Sequence, residues 1–354
     1  MSTMRRNEAG PSQREELLTA CLALIHAGFL RPRERLSLLE IFEDPLRIFS
    51  LSKARLEMAL GRRLRTSQWK PPDLLLAAER DRKTLTQGSI RATLLFEDRF
   101  PPLLREIYDP PILLFYRGIL PDHTEPLVAV VGTRRPTGKA RSSAFRLGRE
   151  LARGGAGVVS GLARGIDVEA HRGCLDGGGK AIAVLGNGLG SIYPKTSVCT
   201  ARRILEQGGV LLSEYPPDAP PLKHNFPARN RIISGLSRMV VVIQAPRRSG
   251  ALITAEYALD QGRDLVVHET GTVGAAGQGT AALAESGARV IRSARQVFSE
   301  WERPFGGEQA PRSPLYPDEG PSGTPAGRKM AALLEDELSG VKKLHNGAYF
   351  GEDG

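Results

Sequence analysis

The sequence contains few cysteines, and their spacing excludes two common kinds of stabilised domain. The 354-residue chain has three, Cys21, Cys174 and Cys199, with no CxxC pair and no histidine cluster beside them. Disulfide frameworks and zinc sites require closely spaced ligands, so neither is predicted and no metal is expected. This use of cysteine fits a reducing cytoplasm.

Long hydrophobic runs are also absent. The chain has no stretch of about 18 apolar residues, the length that a membrane-spanning helix needs. The N-terminal sequence MSTMRRNEAGPSQREE lacks the apolar core of a signal peptide. We therefore expect a cytoplasmic protein with no membrane partner.

The composition is that of a basic globular protein. Its 41% hydrophobic content can build a large core, and its length suits one large domain and a smaller one. The formal net charge of +10 and the pI near 9.8 favour a polyanionic partner. Basic surfaces also occur in proteins that merely stay soluble, so charge alone does not identify nucleic acid.

The central motif is LVAVVGTRRPTG at residues 127–138. A short apolar run that stops at a glycine is typical of a buried parallel strand, a sharp turn and a helix whose first amides can hold an anion. Arg134 occupies the place of the second glycine in the dinucleotide fingerprint, where backbone must approach pyrophosphate closely. The next strand-like run ends in Ser160 and Gly161 and not in an acidic residue, so the motif predicts a phosphate site and disfavours NAD.

From residue 127 to about 301, apolar runs alternate with amphipathic ones. The runs lie at 128–131, 158–160, 181–185, 210–213, 239–243, 265–267 and 289–291. This alternation predicts an α/β fold with a doubly wound, mostly parallel, Rossmann-like sheet, in which ligands bind at the carboxyl ends of the strands. Glycines, small hydroxyl residues and arginines recur after five of these runs, which indicates a surface for several phosphates.

The flanking regions predict three parts of the chain. Helical spacing from residue 12 to 60 predicts a small bundle in an N-terminal domain at 1–88, either a packing domain or an adaptor. Two strand-like runs, 92–96 and 112–116, lead into the sheet domain at 89–301. Residues 302–354 read as a Pro/Gly-rich linker followed by an amphipathic helix with the apolar positions Met330, Leu333, Leu334, Leu338, Val341 and Leu344.

Several long motifs together resemble the DNA-processing protein A family (DprA, also called Smf). They are VAVVGTRRPTG, VVSGLARGIDVEAH at 158–171, IAVLGNGLGSIYP at 182–194, LLSEYPP at 211–217, KHNFPARNRIISGLS at 223–237 and SGALITAEYALDQGRDL at 249–265. The similarity covers roughly residues 92–290 and extends more loosely from about 15. It implies an extended Rossmann-like fold with a small N-terminal helical domain of the SAM or helix-hairpin type.

The resemblance also implies a function and a set of site residues. Members of the family bind single-stranded DNA, deliver it to the RecA recombinase and self-associate, so a homodimer without cofactor or catalytic residues is expected. The residues that it places at the DNA are Gly132, Thr133, Arg134, Ser160, Gly161, Lys223, Phe226, Arg229, Asn230, Arg231, Ser249 and Gly250.

The KHNFPARNR segment supports single-stranded DNA on chemical grounds alone. It places a lysine, a phenylalanine, an asparagine and two arginines within nine residues. Single strands require this mixture, because cations hold phosphates and an aromatic face stacks on a base. The alternative is that Phe226 packs under the loop while the arginines form surface ion pairs.

Two residues of the VVSGLARGIDVEAH motif have structural interpretations. We expect Asp167 to pair with Arg164 or Arg134 and to hold the loop in shape. His171 is a lone histidine on a helix, so packing or hydrogen bonding is favoured over catalysis.

The sequence departs from the family pattern in three places. Ala281 stands where the family has asparagine in Gly-Thr-Asn, Gln244 replaces a usual glutamate, and the Pro-Gly expected after the sixth strand is missing. The tail is also short for the winged-helix domain that many members carry. These departures concern the regions near the dimer and RecA surfaces.

Two alternatives from other classes remain open. One is a Rossmann enzyme that hydrolyses a nucleotide, of the lysine-decarboxylase-like phosphoribohydrolase type. That type expects PGGxGTxxE, and residues 274–285 contain GQGTAALAE without PGG. The other is a degenerate paralogue that keeps the fold as an interaction scaffold.

Overall fold

The computed structural model of the chain describes residues 11–65, 67–87 and 90–299 in full, and the backbone of 342–345 and 348–351. It divides into two compact units, Met1–Arg82 with Glu308–Gly354 and Lys83–Gly307. In the described residues, no helix has the length and apolarity needed to cross a bilayer.

The first unit contains the predicted N-terminal helices. They are α1 (Pro11–His26), α2 (Pro32–Ile41), α3 (Lys53–Leu60) and α4 (Pro71–Gln87), with a 3₁₀ turn at Pro45–Ser50. Proline in the first turn begins several of these segments, because its missing amide would be unsatisfied there anyway. Their apolar faces meet in a small core, where Trp69 stacks on Phe49 with ring centroids 6.1 Å apart.

The second unit is built on one sheet of nine strands. The strands are β1 (Arg91–Leu94), β2 (Leu113–Gly118), β3 (Leu127–Val131), β4 (Gly157–Ser160), β5 (Ala181–Val184), β6 (Val210–Ser213), β7 (Met239–Val242), β8 (Asp264–His268) and β9 (Arg289–Ile291). Their order is β1-β2-β6-β5-β4-β3-β7-β8-β9. The strands from β3 to β9 pair in parallel, and β1 and β2 add an antiparallel edge.

Helices cover the sheet. They are α5 (Pro102–Arg105), α6 (Gly138–Arg153), α7 (Ile166–Asp176), α8 (Val198–Glu206), α9 (Asn225–Gly235), α10 (Gly250–Asp260), α11 (Gln278–Glu285) and α12 (Ala294–Phe298). Every residue of β3, β4, β5, β6 and β7 is buried, as expected for apolar runs that are covered on both faces. The predicted doubly wound α/β fold is confirmed.

The strand order places a topological switch point at β3. Its neighbours are β4 on one side and β7 on the other, so the crossovers that follow β3 and β7 leave the sheet in opposite directions along the strand order. The loops at the carboxyl ends of these two strands therefore diverge and leave a crevice, which is the general ligand site of open α/β sheets.

The C-terminal prediction is only partly within the described residues. The linker and the helical positions from Met330 to Val341 lie outside them, whereas Leu344 lies in a strand and not in a helix. This strand, β10 (Lys342–His345), pairs antiparallel with β11 (Ala348–Gly351). The sequence between them is Asn-Gly, which is a strong signal for a β-hairpin. The prediction of a helix rested on the spacing of apolar residues and did not take this signal into account.

Candidate nucleic-acid interface

A cleft opens at the carboxyl ends of the central strands, at the switch point. It has a main lobe of about 860 Å³ and a smaller lobe of about 260 Å³. The residues that line both lobes are Arg134, Arg135, Ala163, Tyr193, Phe226 and Arg229. The two lobes therefore lie side by side against these six residues.

The loop after β3 supplies the first side of the cleft. Gly132 is required there, because a Cβ would lie 2.6 Å from Ile166 of α7. The Thr133 amide donates to the carbonyl of Gln244 over 2.7 Å, and its hydroxyl accepts from the Arg135 amide over 3.2 Å. These bonds fix the loop while the side chain of Arg134 stays exposed at its tip.

Gln244, one of the departures from the family pattern, anchors this loop. Its side-chain oxygen accepts from the Thr137 amide over 2.9 Å. Thr137 in turn caps α6, because its hydroxyl accepts from the Ala140 amide over 3.2 Å. The neutral amide thus ties β7 to the start of α6 without adding a negative charge to the cleft.

Phe226 and Lys223 form the opposite side. Lys223 is exposed just before α9, and Phe226 is half-buried in the first turn of this helix, where it lines both lobes. The Arg134 guanidinium carbon lies 5.8 Å from the centre of the Phe226 ring, within the range of a cation–π contact. Phe226 therefore reaches the cleft and is not buried under its own loop.

Buried polar side chains make up the floor. Arg229, 4% exposed, donates to the carbonyls of Gly161 and Val184. Asn230, 9% exposed, donates to the Gly250 carbonyl over 3.1 Å and fixes the start of α10. Burial lowers the pKa of Arg229 to about 10, so the side chain stays charged at neutral pH.

Asp167 shapes the loop between β4 and α7. Its carboxylate accepts from the amides of Gly161, over 3.1 Å, and Ala163, over 3.4 Å. Burial raises the pKa of Asp167 to about 6, although the charge of Arg229 opposes the shift. Asp167 thus holds the loop as expected, but its cationic neighbour is Arg229 and not Arg164 or Arg134.

This loop corrects the expectation for Ser160 and Gly161. The Ser160 hydroxyl is fully buried and donates to the Val130 carbonyl over 2.7 Å, while Asp167 already uses the Gly161 amide. Neither group is free to bind a phosphate. Leu162, the residue after Gly161, adopts a left-handed φ of 57°, a strained conformation for a residue other than glycine.

Arg231 also departs from its expected role. It is 2% exposed and pairs with Glu214 at 2.7 Å and Asp109 at 3.0 Å. It lies on the buried face of α9, because the segment that sequence reasoning treated as a loop is helical from Asn225 onward. A DNA phosphate cannot reach this guanidinium.

The loop after β7 closes the main lobe. Ser249 caps α10 by accepting from the Ala251 amide over 3.3 Å, and Gly250 is exposed as the first residue of this helix. Both line the cleft, and so does the exposed Arg248, which sequence reasoning missed. The two consecutive arginines of QAPRRSG, directly after a strand, were the feature of the sequence that could have indicated Arg248.

The charges of the cleft are strongly unbalanced. Its basic lining residues are Arg134, Arg135, Arg164, Lys223, Arg229 and Arg248, and its acidic lining residue is Asp167. In the described part of the chain, no ion pair involves Arg134, Arg135, Lys223 or Arg248. Exposed, unpaired cations around a concave site attract anions and lose little by binding them.

Fold and cleft together define a doubly wound α/β protein with a strongly basic cleft and an aromatic surface at its switch point. The family model for DNA recombination-mediator protein A matches residues 91–302, well over half of the chain. The chain therefore belongs to this family, and the predicted DprA/Smf membership is confirmed. It is a DNA-processing protein.

Relatives of known name support this assignment. The DNA processing protein DprA of Streptococcus pneumoniae is 42% identical over 215 residues, which cover 59% of this chain and 73% of the relative. Protein Smf of Synechocystis is 45% identical over 208 residues, which cover 56% of this chain and 51% of the relative. The chain thus spans about half the length of the second protein.

Solved structures agree with the fold. The X-ray structure of DprA from Streptococcus pneumoniae has a TM-score of 0.65 at 34% identity and covers 78% of this chain and 95% of its own. DNA processing protein A from Helicobacter pylori, solved to explain its single-stranded DNA binding mode, has a TM-score of 0.54 at 30% identity. That match covers 62% of this chain and 98% of its own.

Proposed function

We propose that this protein binds single-stranded DNA without sequence preference, protects it and loads the RecA recombinase on it. The observation that carries the proposal is the half-buried ring of Phe226, which lines the cleft at the switch point beside the exposed cations Arg134 and Lys223. Single-strand binders combine a cationic groove for the backbone with an aromatic face for bases. The Helicobacter pylori relative, whose single-stranded DNA binding was the subject of its structure, supports the same ligand.

The geometry supports a division of roles. Arg134 and Lys223 stand on opposite sides of the main lobe and would hold phosphates, while the Thr133 hydroxyl keeps its hydrogen for donation. A base would rest on Phe226, whose ring accepts any base face. A Cβ on Gly250 would face open space, so this glycine lets the DNA backbone approach closely, with Ser249 beside it. Gly132 gives the loop room against Ile166, and Arg229 and Asn230 support the floor.

We further propose that the cleft has no catalytic activity. The Ser213 hydroxyl donates to the Asn187 carbonyl over 2.7 Å, and within the described part of the chain no histidine forms a hydrogen bond with it. The GQGTAALAE segment comprises Gly277 and the whole of α11, in which the Thr280 hydroxyl accepts from the Ala245 amide over 2.7 Å. Turnover of a nucleotide by the purified protein would instead favour the phosphoribohydrolase alternative.

The remaining parts of the proposal rest on family membership. RecA loading, a homodimer and a cytoplasmic location follow from what the family is known for. We also propose residues 1–88 as a separate helical module and 89–301 as the DNA-binding domain. A scaffold without DNA binding is the competing interpretation.

The ligand class predicts a steep salt dependence. Binding to a labelled single-stranded oligonucleotide should weaken with a log-log slope of about 0.7 per neutralised phosphate, so that four cations give a slope near 3. A salt-titrated gel shift with single- and double-stranded oligonucleotides measures this slope and the strand preference. Equal binding at low and physiological salt would contradict a polyanion site.

The same reaction then tests the partner. Adding RecA and ATP should give faster RecA filament formation on DNA that already carries the protein. If the protein binds DNA but slows the formation of RecA filaments, the proposed protection of DNA is retained and the proposed loading of RecA is wrong.

Two substitutions test the phosphate contacts. Arg134→Ala and Lys223→Ala should each weaken oligonucleotide binding about 3- to 20-fold, because each removes an unpaired cation and, by the slope rule, one neutralised phosphate. The apparent slope should drop by about 0.7 in each variant. The control is Arg202→Ala on the outer face of α8, which should bind as the wild type does. Unchanged affinity in both folded variants would remove these residues from the site.

A further inference from the structure

We infer that the smaller lobe is a second nucleotide subsite, in which the ring of Tyr193 stacks on the base next to the one held by Phe226. This inference rests on the proposed binding of single-stranded DNA in the main lobe. It adds a residue that the sequence did not single out and sets the minimum ligand at two stacked nucleotides.

The volume of the smaller lobe fits one nucleotide. It measures about 260 Å³, and it lies beside the main lobe, with which it shares lining residues. Arg164, Gly161 and Pro194 line the smaller lobe alone. A strand that passes Phe226 can therefore place its next nucleotide in this neighbouring lobe.

The chemistry of the lobe suits a phosphate and a base. Its basic lining residues are Arg134, Arg135, Arg164 and Arg229, and no acidic residue lines it. Arg164 is exposed, so its guanidinium can pair with a phosphate without breaking a buried interaction. The aromatic surface comes from Tyr193, which is 45% exposed, an unusual fraction for a large ring beside a concave site.

The two rings form one surface and not a clamp. Their centroids are 5.5 Å apart and the ring planes are tilted by 45°. A base between them would need about 7 Å, twice the contact distance of carbon atoms. Each ring must therefore use its outer face, so two bases would lie on adjoining rings, splayed by the tilt.

A double-mutant cycle on a 20-residue thymidine oligonucleotide tests the subsite. Tyr193→Ala should lower the affinity about 5- to 100-fold, the range for one lost base stack, and Tyr193→Phe should keep it within about 2-fold. The Tyr193→Ala loss should remain measurable in a Phe226→Ala background, because the second base has its own ring, although contact between the two rings makes the two losses non-additive. Arg164→Ala should reduce the salt slope by about 0.7.

An abasic oligonucleotide of the same length separates stacking from other effects. The wild type and Tyr193→Ala should bind it equally, since no base remains to stack. Thermal melting confirms that each variant is folded.

The possible results are distinct. Wild-type affinity in Tyr193→Ala overturns the subsite, and so does a loss that vanishes without Phe226, because Tyr193 would then only position that ring. A wild-type protein that binds neither oligonucleotide contradicts the proposed function itself.

Discussion

Arg231 has a structural role, although it lies on the same helix, α9, as residues that line the cleft. Its guanidinium donates two hydrogen bonds to Glu214, of 2.9 and 2.7 Å, and one to Asp109 of 3.0 Å. Burial opposes its charge, but the two carboxylates outweigh burial and raise the pKa of Arg231 above its usual value. The side chain thus links α9 to the segments after β6 and before β2.

Removing this guanidinium should destabilise the fold. Arg231→Ala leaves two carboxylates facing a cavity, and breaking a buried ion pair costs about 3–5 kcal/mol of unfolding free energy. Urea denaturation measures the loss, and the exposed Arg247→Ala is the matched control, with an expected change within about 0.5 kcal/mol. A stable Arg231→Ala variant with impaired DNA binding would restore Arg231 to the site.

The residues of KHNFPARNR explain which parts of the site the sequence could predict. Lys223 and Phe226 reach the cleft from its side, Arg229 lines only its buried floor, and Arg231 points into the protein. Residue type predicts affinity for phosphate, but the helix that begins at Asn225 decides which side chains face out. Pro227 favoured a loop in the sequence, yet a proline in the first helical turn is tolerated.

At the scale of elements, the positions of the strands were predictable from the sequence, whereas their order in the sheet and the contacts of the loops between them were not. All seven runs from 128–131 to 289–291 form parallel strands. A short run of apolar residues is typical of a strand that is buried on both faces of a parallel sheet. The strand order and the strained Leu162 turn depend on long-range pairing, which leaves no local pattern. Tyr193 was missed for the same reason, since it meets Phe226 only through the fold.

At the scale of the whole molecule, two buried groups give the unfolding free energy opposing pH dependences. His171 is fully buried beside Arg229, and burial lowers its pKa to about 3. Among the described residues, neither of its ring nitrogens has a hydrogen-bond partner. Asp167 lies in the same cluster with a pKa raised to about 6.

The signs follow from where the protons bind. The unfolded chain protonates His171 below about 6.5 and the folded protein does not, so this group makes stability fall as the pH falls from about 6.5 to 3. Asp167 keeps its proton up to about pH 6 when folded and loses it near 3.8 when unfolded, so its contribution falls as the pH rises through that window. Between about pH 4 and 6 the two slopes cancel.

Replacing His171 should reveal the pH dependence of the unfolding free energy that Asp167 contributes and that His171 cancels in the wild type. Relative to the wild type, the His171→Leu variant should gain about 1 to 1.5 kcal/mol of unfolding free energy per pH unit as the pH falls from 6.5 to 5, because it has no neutral imidazole to maintain. Urea denaturation at matched pH values measures the difference, and the exposed His224→Gln is the control for removal of a histidine from the surface. A constant difference for His171→Leu as well would mean that the imidazole is charged inside the folded protein, and the cluster beneath the cleft would then carry one more positive charge toward the DNA.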